Sequence, residues 1–264
     1  MAATVGLTGQ VTSWGAGGSF TALMLALLKP ATFSVEMSAD ELDTTGYNAG
    51  AATVMSKIQG LRGWSGSFSG PLAVPTNGIL GLVATAGTGY VKNAKSWNFS
   101  MRCSPLETTA WPLTAVGGRT FSPSLVEWGG SFDCLVDDTT VLTVPGAEVL
   151  STDTLTLTLG TGVTLAGKAF TSAASVGSSV GGLQEVSYTF VGTGEVTSVG
   201  STNIIPAASS IATPVAGTIE LGLYSTTRKL SGSAFWTEIS VRVSPDGVNQ
   251  CTVSFQGSGA LTPA

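Results

Sequence analysis

Six stretches of the chain alternate apolar with polar residues at a period of two: ATFSVEMS (31–38), WSGSFSG (64–70), SWNFSMRC (96–103), WGGSFDC (128–134), DTLTLTLG (153–160) and WTEISVRVS (236–244). Successive side chains of a strand point to opposite faces, so this pattern predicts strands that bury one face and leave the other to polar contacts. In WSGSFSG and WGGSFDC the Trp and Phe lie four apart, which puts Trp64 with Phe68 and Trp128 with Phe132 on a common face, where core packing is the expected use of the rings. Residues 48–63, NAGAATVMSKIQGLRG, lack the alternation; small, polar and punctuated by Gly, they predict an exposed loop with room for a helical turn.

The alternating stretches occur in two copies. At an offset of 64 positions Val35 falls on Phe99, Met37 on Met101, Leu42-Asp43-Thr44-Thr45 on Leu106-Glu107-Thr108-Thr109, Tyr47 on Trp111, Trp64 on Trp128, Gly66 on Gly130 and Ser67-Phe68 on Ser131-Phe132, with no gap. The C-terminal half repeats at an offset of 65 with another motif. There LAGKAF (165–170) falls on LSGSAF (230–235) and SYTFVGTGEVT (187–197) on TVSFQGSGALT (252–262), pairing Phe190 with Phe255, Gly192 with Gly257 and Gly194 with Gly259.

Both copies of the first motif precede both copies of the second, whereas tandem duplication would interleave them. Insertion of one unit into a loop of another gives the observed order. It predicts an inner unit over 91–203 and a discontinuous outer unit over 1–90 plus 204–264. Such insertion is tolerated where domain termini lie close together. NIIPAASSIATPVAG (203–217), uncharged and rich in Pro, Ala and Ser, reads as the return linker. Four related units of a small solenoid are the alternative.

Composition narrows the function. The 264 residues suffice for one large or two modest domains; 35 Gly and few charges favour strands joined by tight turns. With 11 Lys and Arg against 16 Asp and Glu the net charge is −5, the wrong sign for a surface that grips phosphate backbones. There is no His, which removes the commonest general base and metal ligand. Cys103, Cys134 and Cys251 are odd in number and far apart, forming neither a zinc pattern nor a disulfide framework, and read as buried thiols. The most apolar run, ALMLALL (22–28), is too short to span a bilayer and has no basic residue before it, so neither a secretory signal nor membrane binding is expected. A positive mean hydropathy of +0.36 with so little charge points to burial in an assembly.

The paired hexapeptides LDTTGY (42–47) and LETTAW (106–111) admit three readings. Catalysis by a Thr hydroxyl needs a base beside it, and without His that base would be Lys or a carboxylate. A hard cation needs several clustered carboxylates, which neither hexapeptide supplies. The favoured reading is structural: acid and hydroxyls bond local backbone where a strand leaves the sheet, beside a loop that touches another subunit. No catalytic residue, metal or cofactor is therefore expected. The candidate residues are structural and assembly positions: Asp43, Thr44, Thr45, Trp64, Phe68, Glu107, Thr108, Thr109, Trp128, Phe132, Phe190, Gly192, Gly194, Phe255, Gly257 and Gly259.

A strand, acid-Thr-Thr-aromatic, a loop, Gly-Leu-x-x-Trp-Ser-Gly-Ser-Phe and a terminal SFQGSGALT together resemble the major tail tube proteins of long-tailed bacteriophages. The resemblance implies a mainly β fold: tail-tube-like β-sandwich domains with little helix, forming a barrel in stacked six-domain rings. The channel passes DNA as non-specific cargo during ejection. It also implies a virion protein assembled in the host bacterial cytoplasm, whose partners are copies of itself and other tail proteins. Two units per chain would make each ring a trimer with pseudo-sixfold symmetry. Other virion β-modules are the alternative: a tube-end or baseplate ring, a capsid decoration or a receptor-binding protein, the last favoured by exposed aromatic platforms.

Overall fold

The computed structural model describes residues 10–14, 32–43, 57–71, 83–86, 94–110, 118–136, 153–160, 163–177, 184–199, 217–225, 228–243 and 249–263. These fold into twelve strands: β1 (Gln10–Trp14), β2 (Thr32–Asp43), β3 (Lys57–Pro71), β4 (Val83–Ala86), β5 (Ala94–Glu107), β6 (Phe121–Val136), β7 (Asp153–Gly160), β8 (Val163–Gly177), β9 (Gln184–Val199), β10 (Gly217–Ser225), β11 (Arg228–Val243) and β12 (Gln250–Pro263). No helix occurs among the described residues, so they hold none of the little helix that the resemblance implies.

All twelve strands belong to one antiparallel sheet. Its main path runs β2-β3-β12-β11-β5-β6-β9-β8-β7-β4, and β10 branches from β11 to pair with β1. The alternation read from the sequence sets which side is buried. Along β5 the residues Trp97, Phe99, Met101 and Cys103 are buried, while Asn98 and Arg102 between them are exposed. The same holds along β11 and β12, where Ile239, Val241, Val243, Cys251, Val253 and Phe255 are at most 2% exposed. These side chains form a single apolar cluster that carries the stabilisation expected of a sheet buried on one face.

The sequence repeat is also a repeat of register. β2 pairs with β3 through Phe33↔Phe68, Val35↔Gly66 and Met37↔Trp64, with a bulge between Ala39 and Glu41. β5 pairs with β6 through Trp97↔Phe132, Phe99↔Gly130 and Met101↔Trp128, with a bulge between Cys103 and Pro105. Likewise Val253↔Phe68 and Phe255↔Gly66 join β12 to β3, as Tyr188↔Phe132 and Phe190↔Gly130 join β9 to β6. The bulges of β11 between Trp236 and Glu238 and of β8 between Thr171 and Ala173 match as well.

Two sequence expectations need correction or refinement. Residues 57–63 do not belong to a loop: Lys57 to Gly63 open β3 and pair with β2 from Asp43 back to Ser38. They lack alternation because this end of the pair is held by polar contacts, an ion pair from Lys57 to Glu41 and a hydrogen bond from Arg62 to Gln59, with little burial. Residues 48–56 lie outside the described residues, as do 203–216 of the expected linker and the apolar run 22–28. β4 lies ahead of residue 91, the boundary read from the repeat, yet pairs with β7 on the far side of the sheet.

Candidate functional site

Two equivalent aromatic–glycine locks stand midway along β3 and β6. The Trp128 ring lies so close over β9 that a Cβ on Gly192 would meet its Cε2 at 1.9 Å; over β12 the same approach puts a Cβ of Gly257 at 2.0 Å from Trp64 Cε2. Only Gly fits beneath either ring. A second glycine completes each cradle from the neighbouring strand, Gly167 under Trp128 and Gly232 under Trp64. Two residues on, Gly194 and Gly259 adopt positive φ of 73° and 82°. Their carbonyls accept the indole N–H groups: Trp128 Nε1 donates to Gly194 at 2.9 Å and Trp64 Nε1 to Gly259 at 3.2 Å. Phe190 packs on Trp128 and Phe132 at centroid distances of 6.3 and 6.0 Å, and Phe255 on Trp64 and Phe68 at 6.0 and 6.3 Å. The structure thus brings together ten of the candidate residues in two groups of five: Trp64, Phe68, Phe255, Gly257 and Gly259, and Trp128, Phe132, Phe190, Gly192 and Gly194.

The acid-Thr-Thr motif ends β5. Thr109 Oγ1 donates to Glu107 Oε1 at 2.9 Å and accepts from the backbone N–H of Thr120 at 3.0 Å, while the Thr108 N–H donates to the Thr120 carbonyl at 2.8 Å. Acid and hydroxyl here tie the departing strand to the chain that leads into β6. Of the matching hexapeptide only Leu42 and Asp43 are described, at the end of β2; Thr44 and Thr45 lie outside the described residues.

Arg119 was not singled out by the repeat and occupies a central place. Its N–H donates to the Arg62 carbonyl at 2.6 Å and its carbonyl accepts from the Gly259 N–H at 2.8 Å, so one residue bridges β3 and β12. Its guanidinium Nη2 donates to both carboxylate oxygens of Asp40 at 2.6 and 2.7 Å, with Glu107 at 3.8 Å from Nη1. The hydrogen bond to Asp40, then the charges of Asp40 and Glu107, raise the guanidinium pKa further above its ordinary value.

The two sets of strands meet where β11 lies beside β5. Residues 238–243 pair with 102–97, burying Ile239, Val241, Phe99 and Met101 completely, with Arg102 and Glu238 in an ion pair at 3.2 Å on the exposed face. The three thiols are buried and free; burial pushes Cys134 and Cys251 up to about 12 and raises Cys103, which leaves them protonated and unreactive in the folded chain. Among the described residues no cluster of Cys, Asp and Glu is placed to hold a metal ion, and no helix is long and apolar enough to cross a membrane.

Fold and site together define a β-protein built twice on one strand plan, with its distinctive residues spent on packing and strand junctions. Comparison with protein-family models, curated proteins and solved structures finds no match to this chain.

Proposed function

We propose that the chain is a structural subunit that assembles with copies of itself into the tail tube of a long-tailed bacteriophage, stacked rings around a channel for DNA. In this reading the chain holds two tube-type units, one nested in the other. β1, β2, β3, β10, β11 and β12 make the outer unit and β4 to β9 the inner, so that three chains supply six units to a ring. The inner unit then begins before β4, ahead of residue 91.

The observation that carries the reading is the repeat of one plan, register for register, within a single sheet. A protein that makes a junction between like units inside one chain has a surface suited to making it again between chains. The face turned away from the core is rich in hydroxyls and amides, among them Ser34, Ser67, Asn98, Ser100, Ser131 and Ser240. A wall of that chemistry with a net charge of −5 offers phosphates few cationic anchors and lets DNA slide. The large apolar side chains that are exposed among the described residues are all aliphatic, which favours strand-edge contacts over an aromatic binding platform.

Electron microscopy of the purified protein with symmetry analysis tests the reading. Hollow tubes whose six-lobed rings hold three chains support it. Closed particles without a channel sink it and favour another virion β-module, and copy number in the particle separates a main tube protein from a tube-end ring.

A further inference from the structure

We infer that two open strand edges of a chain pair with each other between copies: residues 173–177 of β8 in one copy beside residues 34–38 of β2 in the next, in the register that β11 and β5 use within the chain. The inference rests on the self-assembly in the proposed function and not on the DNA channel.

The internal junction supplies the template. β11 has β12 along one side; on the other it carries β10 beside residues 228–234 and β5 beside residues 238–243. β8 is laid out the same way, with β9 along one side and β7 beside residues 163–169 on the other. Past Ala169 on that side β8 runs on to Gly177 with no described strand paired to it. The equivalent of β5 is β2, which ends the sheet and among the described strands pairs only with β3.

Both repeat offsets transfer the register without adjustment. Glu238↔Arg102, Ile239↔Met101, Ser240↔Ser100, Val241↔Phe99 and Arg242↔Asn98 become Ala173↔Ser38, Ala174↔Met37, Ser175↔Glu36, Val176↔Val35 and Gly177↔Ser34. Apolar meets apolar at the second and fourth pairs, the positions that face the core inside the chain. There Met101 and Val241 are 0% exposed, whereas their counterparts Met37 and Val176 are 70% and 56% exposed. Long strand edges with apolar side chains at alternate positions are liabilities that proteins normally cover or charge. On this chain each is the complement of the other, so a second copy covers both. The two edges differ, which makes the contact head-to-tail and sends it to a closed ring or a filament.

The junction between copies is also chemically distinct. The Arg102–Glu238 ion pair of the internal junction is replaced by Ser38 and Ala173. Association through this seam therefore draws on backbone pairing and apolar burial, and salt leaves it unweakened.

Cysteine pairing in the full-length protein reads the register directly, because facing residues of an antiparallel pair come within disulfide range. A Met37→Cys chain mixed with an Ala174→Cys chain and mildly oxidised is expected to give a covalent dimer that neither gives alone. The out-of-register mixture of Met37→Cys with Ser172→Cys is expected to give at least about tenfold less, since a shift of two residues moves the facing positions out of disulfide range. Both positions lie on sheet edges, and unchanged melting of each variant shows that it folds. As a second readout, Val176→Lys is expected to weaken association by about tenfold or more, because its charge enters the apolar side of the seam, with melting of the monomer unchanged. Rings or tubes that form without in-register cross-links overturn the inference and spare the proposed function. In-register cross-links without tubes uphold the inference and sink the tube. A protein that stays monomeric and uncross-linked at its highest soluble concentration overturns the inference.

Discussion

β2 and β5 are the same strand by sequence and by pairing, yet one ends the sheet and the other lies in its middle. Met101 is fully buried and Met37 is 70% exposed, although each pairs with the equivalent Trp across the next strand. The difference comes from the neighbour on the other side: β5 has β11, and β2 has no described strand paired there. Burial in a sheet is thus a property of position in the assembly as much as of the strand. The largest expected effect follows from this contrast. Met101→Ala should cost about 3 kcal/mol in chemical denaturation, as large-to-small changes in a packed core do. Met37→Ala in the unassembled protein should cost less than about 0.5 kcal/mol, as surface changes do. Equal costs would break the comparison.

The locks, by contrast, are alike in the two halves, and substitution beneath each ring tests that likeness. Gly192→Ala and Gly257→Ala should each destabilise by about 2 kcal/mol, because a Cβ cannot share space with the indole and the ring must leave its seat. The readout is the urea midpoint of each variant. A clear inequality would mean that one lock relaxes where its twin does not, and would locate a difference in packing that the matched registers hide.

Strand positions and the twofold repeat were legible in the sequence because alternation and matched Trp and Phe are local signals. The reason for the glycines was not. Gly257 sits 193 positions after Trp64, and its constraint is visible only when β12 lies beside β3. The start of β3 was missed because Lys57 to Gly63 are held by polar contacts, Lys57 across to Glu41 of β2 and Arg62 along its own strand to Gln59, without an apolar stripe. Arg119 was missed for a different reason: comparing two repeats highlights what they share, and Arg119 belongs to the junction between them. The edge of β8 carries no motif at all. Ala173 to Gly177 look like any small-residue strand until the paired β11 shows what stands beside such a segment.

The thiols mark a place where the halves differ in composition and agree in burial. Cys251 occupies the position that Val186 holds in the other half, and both are at most 2% exposed. Burial raises the Cys251 thiol from about 9 to about 12, so the folded chain favours the protonated form. Its contribution to stability is whole below pH 9 and is lost as pH rises toward 12, because the unfolded chain releases the proton first. Cys251→Val copies the partner half and should change stability at neutral pH by less than about 1 kcal/mol. It should also flatten the alkaline fall in the urea midpoint. An unchanged alkaline slope would show that this thiol is not linked to folding.

The smallest expected effect is at Arg119, which ties the two halves where the repeat gives no second copy. Its backbone bonds to Arg62 and Gly259 survive any side-chain change, so Arg119→Gln removes only the guanidinium contacts with Asp40 and Glu107. The pair is partly exposed, at 33% and 41% of the side chains, so water and ions screen it. Arg119→Gln and Asp40→Asn should each lower the melting temperature slightly at low salt. The double variant should be no worse than either single one, since both remove the same interaction. At an ionic strength of about 1 M, where charges are screened beyond roughly 3 Å, the difference from the parent should vanish. A loss that persists at high salt would mean that the side chain holds the junction by packing, and the contrast between an internal junction with ion pairs and an external seam without them would lose half its basis.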